Sequence, residues 1–351
     1  MKKKILIAPL NWGLGHATRC IPIIKALEEN GFEPIIASDG VALALLKKEF
    51  PKLLSIELPA YNIQYAVNGK NFKWKMILQL PKMLIAIKKE RKTTKTIIKN
   101  HQISGVISDN RLGVYSKNIP SVFITHQLNV LSGKTSWLTT KLHMRYVLRF
   151  NACWVPDVAG AINLSGKLGH IKNPESKIKY IGPLSRIEKK TLPIKYDIMV
   201  LLSGPEPQRT LLENKLKKEL KSSDKEILFV KGIVEKIQQI EKIDTITYYN
   251  FMNSEQLNTA FNESDIILCR SGYTTIMDLA KLEKKAFFIP TPGQYEQEYL
   301  AKKLKAEIVA PSCKQEKFKI SKLEKTSFYK GFKDLSVAQD WRELFSFFQS
   351  K

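Results

Sequence analysis

The sequence is short of cysteine and of acid, and it lacks any long apolar run. Its four cysteines, Cys20, Cys153, Cys269 and Cys313, stand singly without a C-x-x-C pair, which speaks against a disulfide framework and against a cysteine zinc site. No uninterrupted apolar stretch approaches a membrane span. The opening MKKKILIAPL has the basic start of a signal peptide, but its apolar part is short and runs into Asn11-Trp12-Gly13 with no small-residue cleavage site. It is expected to be a first strand, in a cytoplasmic protein. Disorder is excluded by 44% hydrophobic and 26% charged residues.

The shortage of acid is uneven. Over the 351 residues, 57 lysines and arginines face 33 aspartates and glutamates, a net +24. Residues 1–185 hold 28 basic and 10 acidic side chains, and residues 186–351 hold 29 and 23. The first half is therefore the strongly basic one. Scattered lysines are ordinarily a solvated surface; a concentration of them suits an anionic partner such as a membrane surface, nucleic acid or a phosphorylated acceptor.

Short apolar runs alternate with helical spacing along the whole chain. Strands are expected at Lys4–Ala8, Pro34–Ser38, Leu54–Leu58, Gly105–Ser108, Ser121–Thr125 and Cys153–Pro156, with helices from about His16, over Val41–Glu49 and over Trp137–Arg149. The segment KYIGPLSRIEKKTLPIKYD gathers Gly, two prolines and charge, as a linker does. The pattern then restarts at YDIMVLLSGPEPQRTLLENKL, again strand, turn, helix, with further strands expected at Ile227–Lys231, Ile246–Tyr249, Asp265–Cys269, Ala286–Pro290 and Glu307–Ala310, and a final helix over Ser336–Phe348. This is an α/β chain of two doubly wound Rossmann-like domains, 1–185 and 186–351, with ligands expected beyond the carboxyl ends of the strands, in a cleft between the domains.

Two turns carry the chemistry. In NWGLGHATR, Gly13 and Gly15 let backbone approach a ligand, the following helix offers unpaired N–H groups, and His16 sits where an imidazole is pushed toward its neutral, basic form. A histidine that only caps or packs is the plain alternative. In LCRSGYTTIMDLAKL, a buried strand leads to Arg270, Ser271 and Gly272, with Thr274 and Thr275 at a helix start, a natural cradle for phosphate. Asp278, one turn inside, can accept from a ribose diol, and IPTPGQYEQEY brings Gln294, Glu296, Gln297 and Glu298 to the same rim. Plain solvation of a strand's end is the alternative there, and the co-occurrence of both turns favours function.

The chain resembles the two-domain GT-B glycosyltransferases, in the manner of the family 28 enzymes that add N-acetylglucosamine to an undecaprenyl-linked peptidoglycan intermediate. GLGHATR is similar to the family's N-terminal glycine turn ending in histidine. RSGYTTIMDLAKLEKKAFFIPTPGQYEQEYLAKKL is similar to its donor-site signature. IPSVFITHQLN stands where the family has a strand and a His-and-Asn-bearing loop, and YIGPLSR resembles the entry to the linker. The resemblance implies a nucleotide-sugar donor, UDP-linked, with UDP-GlcNAc as the candidate, held mostly by the second domain. Gly13, Gly15, Ser203, Gly204, Arg209, Arg270, Ser271, Gly272, Thr274, Thr275, Asp278, Gln297 and Glu298 are its candidate contacts. His126 and Asn129 are candidates for the acceptor. Asp278 for the family's glutamate, Glu298 for a second glutamine, and the proline-bearing LLSGPEPQR for a glycine-rich loop are departures; two prolines remove two N–H donors.

The resemblance also implies a mechanism. No D-x-D triplet occurs, so no metal and no cofactor is expected, and the leaving diphosphate is left to helix N-termini and basic side chains. His16 is the first candidate for the base that takes the acceptor's proton, with Asp109 as alternative base or as its orienter; a helix cap is the plain reading of Asp109. Displacement with one base inverts the anomeric centre. Residues 67–100 carry ten lysines and arginines against Glu90 alone, interleaved with Phe72, Trp74, Met76, Ile77, Leu78, Met83, Leu84 and Ile85. Such a stripe either packs on the sheet or lies on an anionic bilayer; the resemblance favours a peripheral enzyme at the inner face of the membrane with a lipid-linked or glycolipid acceptor. Three other readings stay open: a nucleotide-sugar 2-epimerase, a non-enzymatic basic protein that binds nucleic acid or membrane, and a transferase retained only for binding. Nucleic acid is not the favoured partner, because no base-reading module is present.

Overall fold

The computed structural model of the protein describes residues 2–61, 72–130, 136–172, 174–233 and 235–349, the side chains of 72–81 excepted. The chain divides into two compact units: residues 1–161, 165–184 and 338–351, and residues 162–164 with 185–337.

The first unit runs β1 (Lys4–Pro9), α1 (Leu14–Glu29), β2 (Glu33–Ser38), α2 (Gly40–Glu49), β3 (Ser55–Glu57), α3 (Phe72–His101), β4 (Ile103–Asp109), β5 (Ser121–Ile124), α4 (Ser136–Val147), β6 (Ala152–Val155) and β7 (Ile178–Tyr180). All seven strands pair in parallel in the order β3-β2-β1-β4-β5-β6-β7. Helices cover both faces of such a sheet, so its central strands read as continuous apolar runs. Ile5, Leu6, Ile7 and Ala8 of β1 are all fully buried. Strand order reverses at β1, whose neighbours are β2 and β4. The glycine turn after β1 and Asp109 at the end of β4 meet there, with Pro9 in register with Asp109.

The second unit runs β8 (Tyr196–Leu201), α5 (Gln208–Leu220), β9 (Ile227–Val230), β10 (Ile240–Ile243), β11 (Ile246–Tyr249), α6 (Ser254–Asn262), β12 (Ser264–Cys269), α7 (Tyr273–Leu282), β13 (Lys285–Phe288) and α8 (Tyr295–Ala306). Its sheet order is β10-β11-β9-β8-β12-β13, parallel except for the β10–β11 pair. Here the reversal falls at β8, between β9 and β12. The loops after β8 and β12 hold Ser203 and Arg270.

Three expectations are corrected. Residues 307–310 form a turn after α8 rather than a strand, with Ile308 at φ 56°. Strands β7 and β10 are additional; β10 is exposed at all four positions, so no apolar pattern marked it. The last residues, with the short helix α9 (Trp341–Ser346), belong to the first unit, not the second. The reason is aromatic packing. Phe345 and Phe348 meet Phe32 at 5.8 and 6.4 Å between ring centroids, and both meet Trp154. Gly105 in β4 leaves the room, because a Cβ there would stand 2.4 Å from the Phe348 ring.

The one acid of the basic stretch, Glu90, is what fastens α3 to the sheet. It is fully buried, paired with Arg111 at 2.7 Å, and accepts from Tyr61 Oη and from the Gly113 N–H, each at 2.7 Å. Arg111 also pairs with Asp39. Ala86, Ile87, Glu90, Thr94 and Ile97 form the buried side of α3, at helical spacing, while Lys88, Lys89, Lys92, Lys95 and Lys99 are exposed. This half of the stretch packs on the sheet. Residues 67–71, and the side chains of Phe72, Trp74, Met76, Ile77 and Leu78, lie outside the described residues.

Phe348→Ala removes the ring that fills the space at Gly105. The expected loss is about 3–5 kcal/mol of stability, measured by denaturant unfolding, with β1 and β4 amides losing exchange protection first.

Candidate functional site

At the top of the first sheet, α1 begins at Gly13 with φ 77°, a conformation that favours glycine, and no side chain caps it. His16 lies in the helix's first turn. Its Nδ1 stands 3.0 Å from Asp109 Oδ1, and Asp109 is fully buried at the end of β4. Arg19, one turn further along the same face of α1, grips the same carboxylate: Nε donates to Oδ2 at 2.6 Å and Nη2 donates to Oδ1. Its Nη2 also lies 2.8 Å from His16 Nδ1, and Nη1 lies 3.2 Å from His126 Nδ1. The Cys20 thiol donates to Asp109 Oδ2 at 3.7 Å.

The electrostatics divide the roles. Burial works against the Asp109 charge, but Arg19 and then His16 hold its carboxyl well below the usual carboxylate range. An acid so strongly held is a poor proton acceptor, which leaves Asp109 as orienter of the imidazole. Burial lowers the His16 pKa; Asp109 opposes this and Arg19 assists it. His16 is thus inclined to be neutral, and a proton on Nδ1 directed at Asp109 leaves Nε2 as the basic nitrogen. His126 joins this cluster. Asn129 is apart from it: its Nδ2 donates to the carbonyls of Lys167 at 2.6 Å and His170 at 3.3 Å, which ties down the loop before β7.

In the second unit the candidates gather at the ends of β8, β12 and β13. The helix α7 begins at Gly272 with no side-chain cap, and Thr274 and Thr275 are half-buried in its first turn. Ser203 and Gly204, the latter at φ 106°, are exposed in the loop after β8. Several expected ligand contacts are held by the chain itself. Arg270 is buried, donating to the carbonyls of Ile289 and Pro290, each at 3.1 Å, to that of Gln208 at 2.9 Å and to Gln315 Oε1 at 2.9 Å. It fastens the loops together. Arg209 is likewise paired, with Glu206 at 2.5 Å and Glu213 at 2.6 Å.

Ser271 Oγ donates to the Gln297 carbonyl at 2.8 Å. Gln297 Oε1 accepts from the Thr291 N–H at 2.9 Å, and Glu298 Oε1 accepts from the Gly293 N–H at 3.0 Å. These side chains shape the rim of α8. Asp278 accepts from Ser185 Oγ at 2.5 Å, and burial pushes its carboxyl up to about 6 against that hydrogen bond and Arg186.

Two participants were missed from sequence. Arg19 stands three residues after His16, a helical spacing that places both on one face, so the signal was present. Ser185 lies 93 residues from Asp278, and no local pattern connects them. Among the described residues, no group of three or more His, Cys, Asp or Glu is arranged to hold a metal ion.

Comparison with known proteins shows what the chain is similar to. Residues 208–331 match the glycosyltransferase family 28 C-terminal domain. The chain is a glycosyltransferase of the GT-B fold, similar to those of family 28. It is 22% identical over 317 residues, 86% of this chain and 81% of the other, to the UDP-N-acetylglucosamine–N-acetylmuramyl-(pentapeptide) pyrophosphoryl-undecaprenol N-acetylglucosamine transferase of Haemophilus ducreyi. The enzyme of the same name from Actinobacillus pleuropneumoniae serotype 5b is 23% identical over 311 residues, again 86% and 81% of the two chains. Among solved structures, Acinetobacter baumannii MurG is similar at TM-score 0.60 and 16% identity, over 99% of each chain. The spinosyn forosaminyltransferase SpnP is similar at TM-score 0.67 and 10% identity, over the full length of both. The family 28 match begins at α5 and ends beyond α8, so it contains every strand-end candidate of the second unit except Ser203 and Gly204.

Asp278 gives this unit a pH signature. Its folded pKa stands above its unfolded value, so the charge costs stability above about pH 6 and the cost disappears as pH falls toward 4. Asp278→Asn keeps an acceptor for Ser185 and is expected to stabilise the protein at pH 7.5 by about 2 kcal/mol, with the gain shrinking at pH 5. Thermal unfolding at the two pH values reads the difference.

Proposed function

We propose that this glycosyltransferase moves a sugar, N-acetylglucosamine foremost, from its uridine diphosphate to a hydroxyl of a lipid-linked acceptor at a membrane surface, inverting the anomeric centre without a metal. The observation that carries the mechanism is the 3.0 Å contact between His16 Nδ1 and a fully buried Asp109. In the reaction the acceptor oxygen bonds to the anomeric carbon as the carbon–phosphate oxygen bond breaks. The hydroxyl proton passes to His16 Nε2, and the nucleoside diphosphate leaves. A single displacement with one base inverts the configuration. The leaving charge is met by the positive dipole end of α7, which has no side-chain cap at Gly272, with Thr274 and Thr275 in its first turn. Asp278 takes the ribose hydroxyls in exchange for Ser185.

The substrate class is supported by the names of the relatives, which are UDP-N-acetylglucosamine transferases acting on an undecaprenol-linked sugar. Metal independence is supported by the absence of a D-x-D triplet from the sequence. The membrane is supported by the basic first half and by two exposed apolar groups within it. Trp137, Leu138 and Leu142 of α4 stand 69%, 53% and 47% exposed beside the exposed Lys141 and Arg145, and Leu84 and Ile85 of α3 are exposed beside Lys82, Lys88 and Lys89. No helix among the described residues is long and apolar enough to cross a membrane.

His16→Ala is expected to retain the thermal shift given by UDP, with and without EDTA, and to lose transfer by about a hundredfold or more. Unchanged transfer would remove His16 as the base, and a shift abolished by EDTA would remove metal independence. In sedimentation with vesicles, replacing Trp137, Leu138 and Leu142 by serine should weaken binding to phosphatidylglycerol-rich membranes several-fold. Binding to purely zwitterionic vesicles should be weak for both proteins.

A further inference from the structure

A carboxylate beside an imidazole N–H ordinarily makes the imidazolium the stable form, which would leave a histidine unable to accept a proton at neutral pH. The His16–Asp109 contact on its own poses that difficulty. The surroundings of the pair answer it. Facing the cluster are Asp109 from β4, Arg19 and Cys20 from α1, and His126 from the loop after β5. Arg19 is the one permanent cation among them. It is 2% exposed, it grips both oxygens of Asp109, and its Nη2 stands 2.8 Å from the same ring nitrogen that faces the carboxylate.

We propose that Arg19 is a positioning residue that keeps His16 neutral at neutral pH, by neutralising Asp109 through a two-toothed ion pair and standing against the His16 ring. Asp109 is then free to orient the imidazole without converting it to imidazolium. Protonation at Nε2 would add a positive charge to a ring that already stands against the guanidinium, so the field of Arg19 disfavours the charged form. The burial-lowered pKa of His16 agrees with this arrangement, Arg19 being one of the groups that lowers it. The same guanidinium reaches His126 Nδ1 at 3.2 Å, which ties that ring to the pair. The inference rests on reading His16 as the base for its purpose, but not for its test.

The test is the titration of His16 by ¹H–¹³C NMR of histidine-labelled protein, its resonance assigned from the spectrum of His16→Ala. Wild-type His16 should have its midpoint below 6.5, and Arg19→Met should raise it by about one pH unit, tenfold in proton affinity. Arg19→Lys should restore most of the wild-type value. A wild-type His16 charged at pH 7, or a midpoint unmoved in folded Arg19→Met, overturns the proposal.

Should Arg19→Met fail to fold, Arg19→Met/Asp109→Asn leaves no unpaired buried charge and is compared with Asp109→Asn. A higher midpoint in the double variant supports Arg19, and equal midpoints overturn its role. These midpoints do not depend on turnover. If His16→Ala retains transfer, the base reading fails while the control of His16 by Arg19 stands or falls on the titration alone.

Discussion

A parallel strand covered by helices on both faces has nowhere to place a polar side chain except at its ends, and this constraint organises both units. Ile5 to Ala8 in β1 and Ile267 to Leu268 in β12 are fully buried. Polar chemistry begins one or two residues beyond, at the glycine turn of α1, at Asp109, and at Arg270 and Ser271. The same burial makes each charge there dependent on a partner. Asp109 has Arg19 and His16, and Asp39 and Glu90 share Arg111. Removing one member of such a pair strands the other in a medium that solvates it poorly, so these groups hold one another in place.

The two units use that constraint differently. In the first, the polar groups converge on one histidine, which burial inclines toward neutrality while a carboxylate and a guanidinium act on it in opposite senses. In the second, most polar side chains are spent on the protein's own loops. Arg270 ties the carbonyls of Ile289, Pro290 and Gln208, Gln297 pins Thr291, and Glu298 pins Gly293. The start of α7 has no side-chain cap at Gly272, and its N–H groups are fixed in direction by the helix. Such prepaid rigidity suits the binding of a diphosphate, because few groups have to be ordered when it arrives.

The basic first half has an equally physical reading once α3 is placed. Its lysines divide from its apolar side at helical spacing, and Glu90, buried against Arg111 and Tyr61, anchors the helix. Part of the charge therefore solvates an ordinary packed helix. The apolar residues left exposed on α4, among basic neighbours, are the unusual ones.

By itself the sequence determined the alternation of strands and helices, the two glycine turns, and the family resemblance, because these depend on local spacing and on backbone freedom that glycine alone supplies. It also put His16 and Arg19 on one helical face. Only the tertiary structure decided which partners the polar groups take. Asp109 and His16 are 93 residues apart, as are Asp278 and Ser185, and their meeting follows from strand order. The return of Phe345 and Phe348 to the first unit was likewise hidden, since an aromatic face on a C-terminal helix fits any apolar surface, and the room left at Gly105 selects this one. The internal partners of Arg209 and Arg270 were hidden as well: Arg209 meets two carboxylates and Arg270 three carbonyls and an amide oxygen, which no local spacing announces.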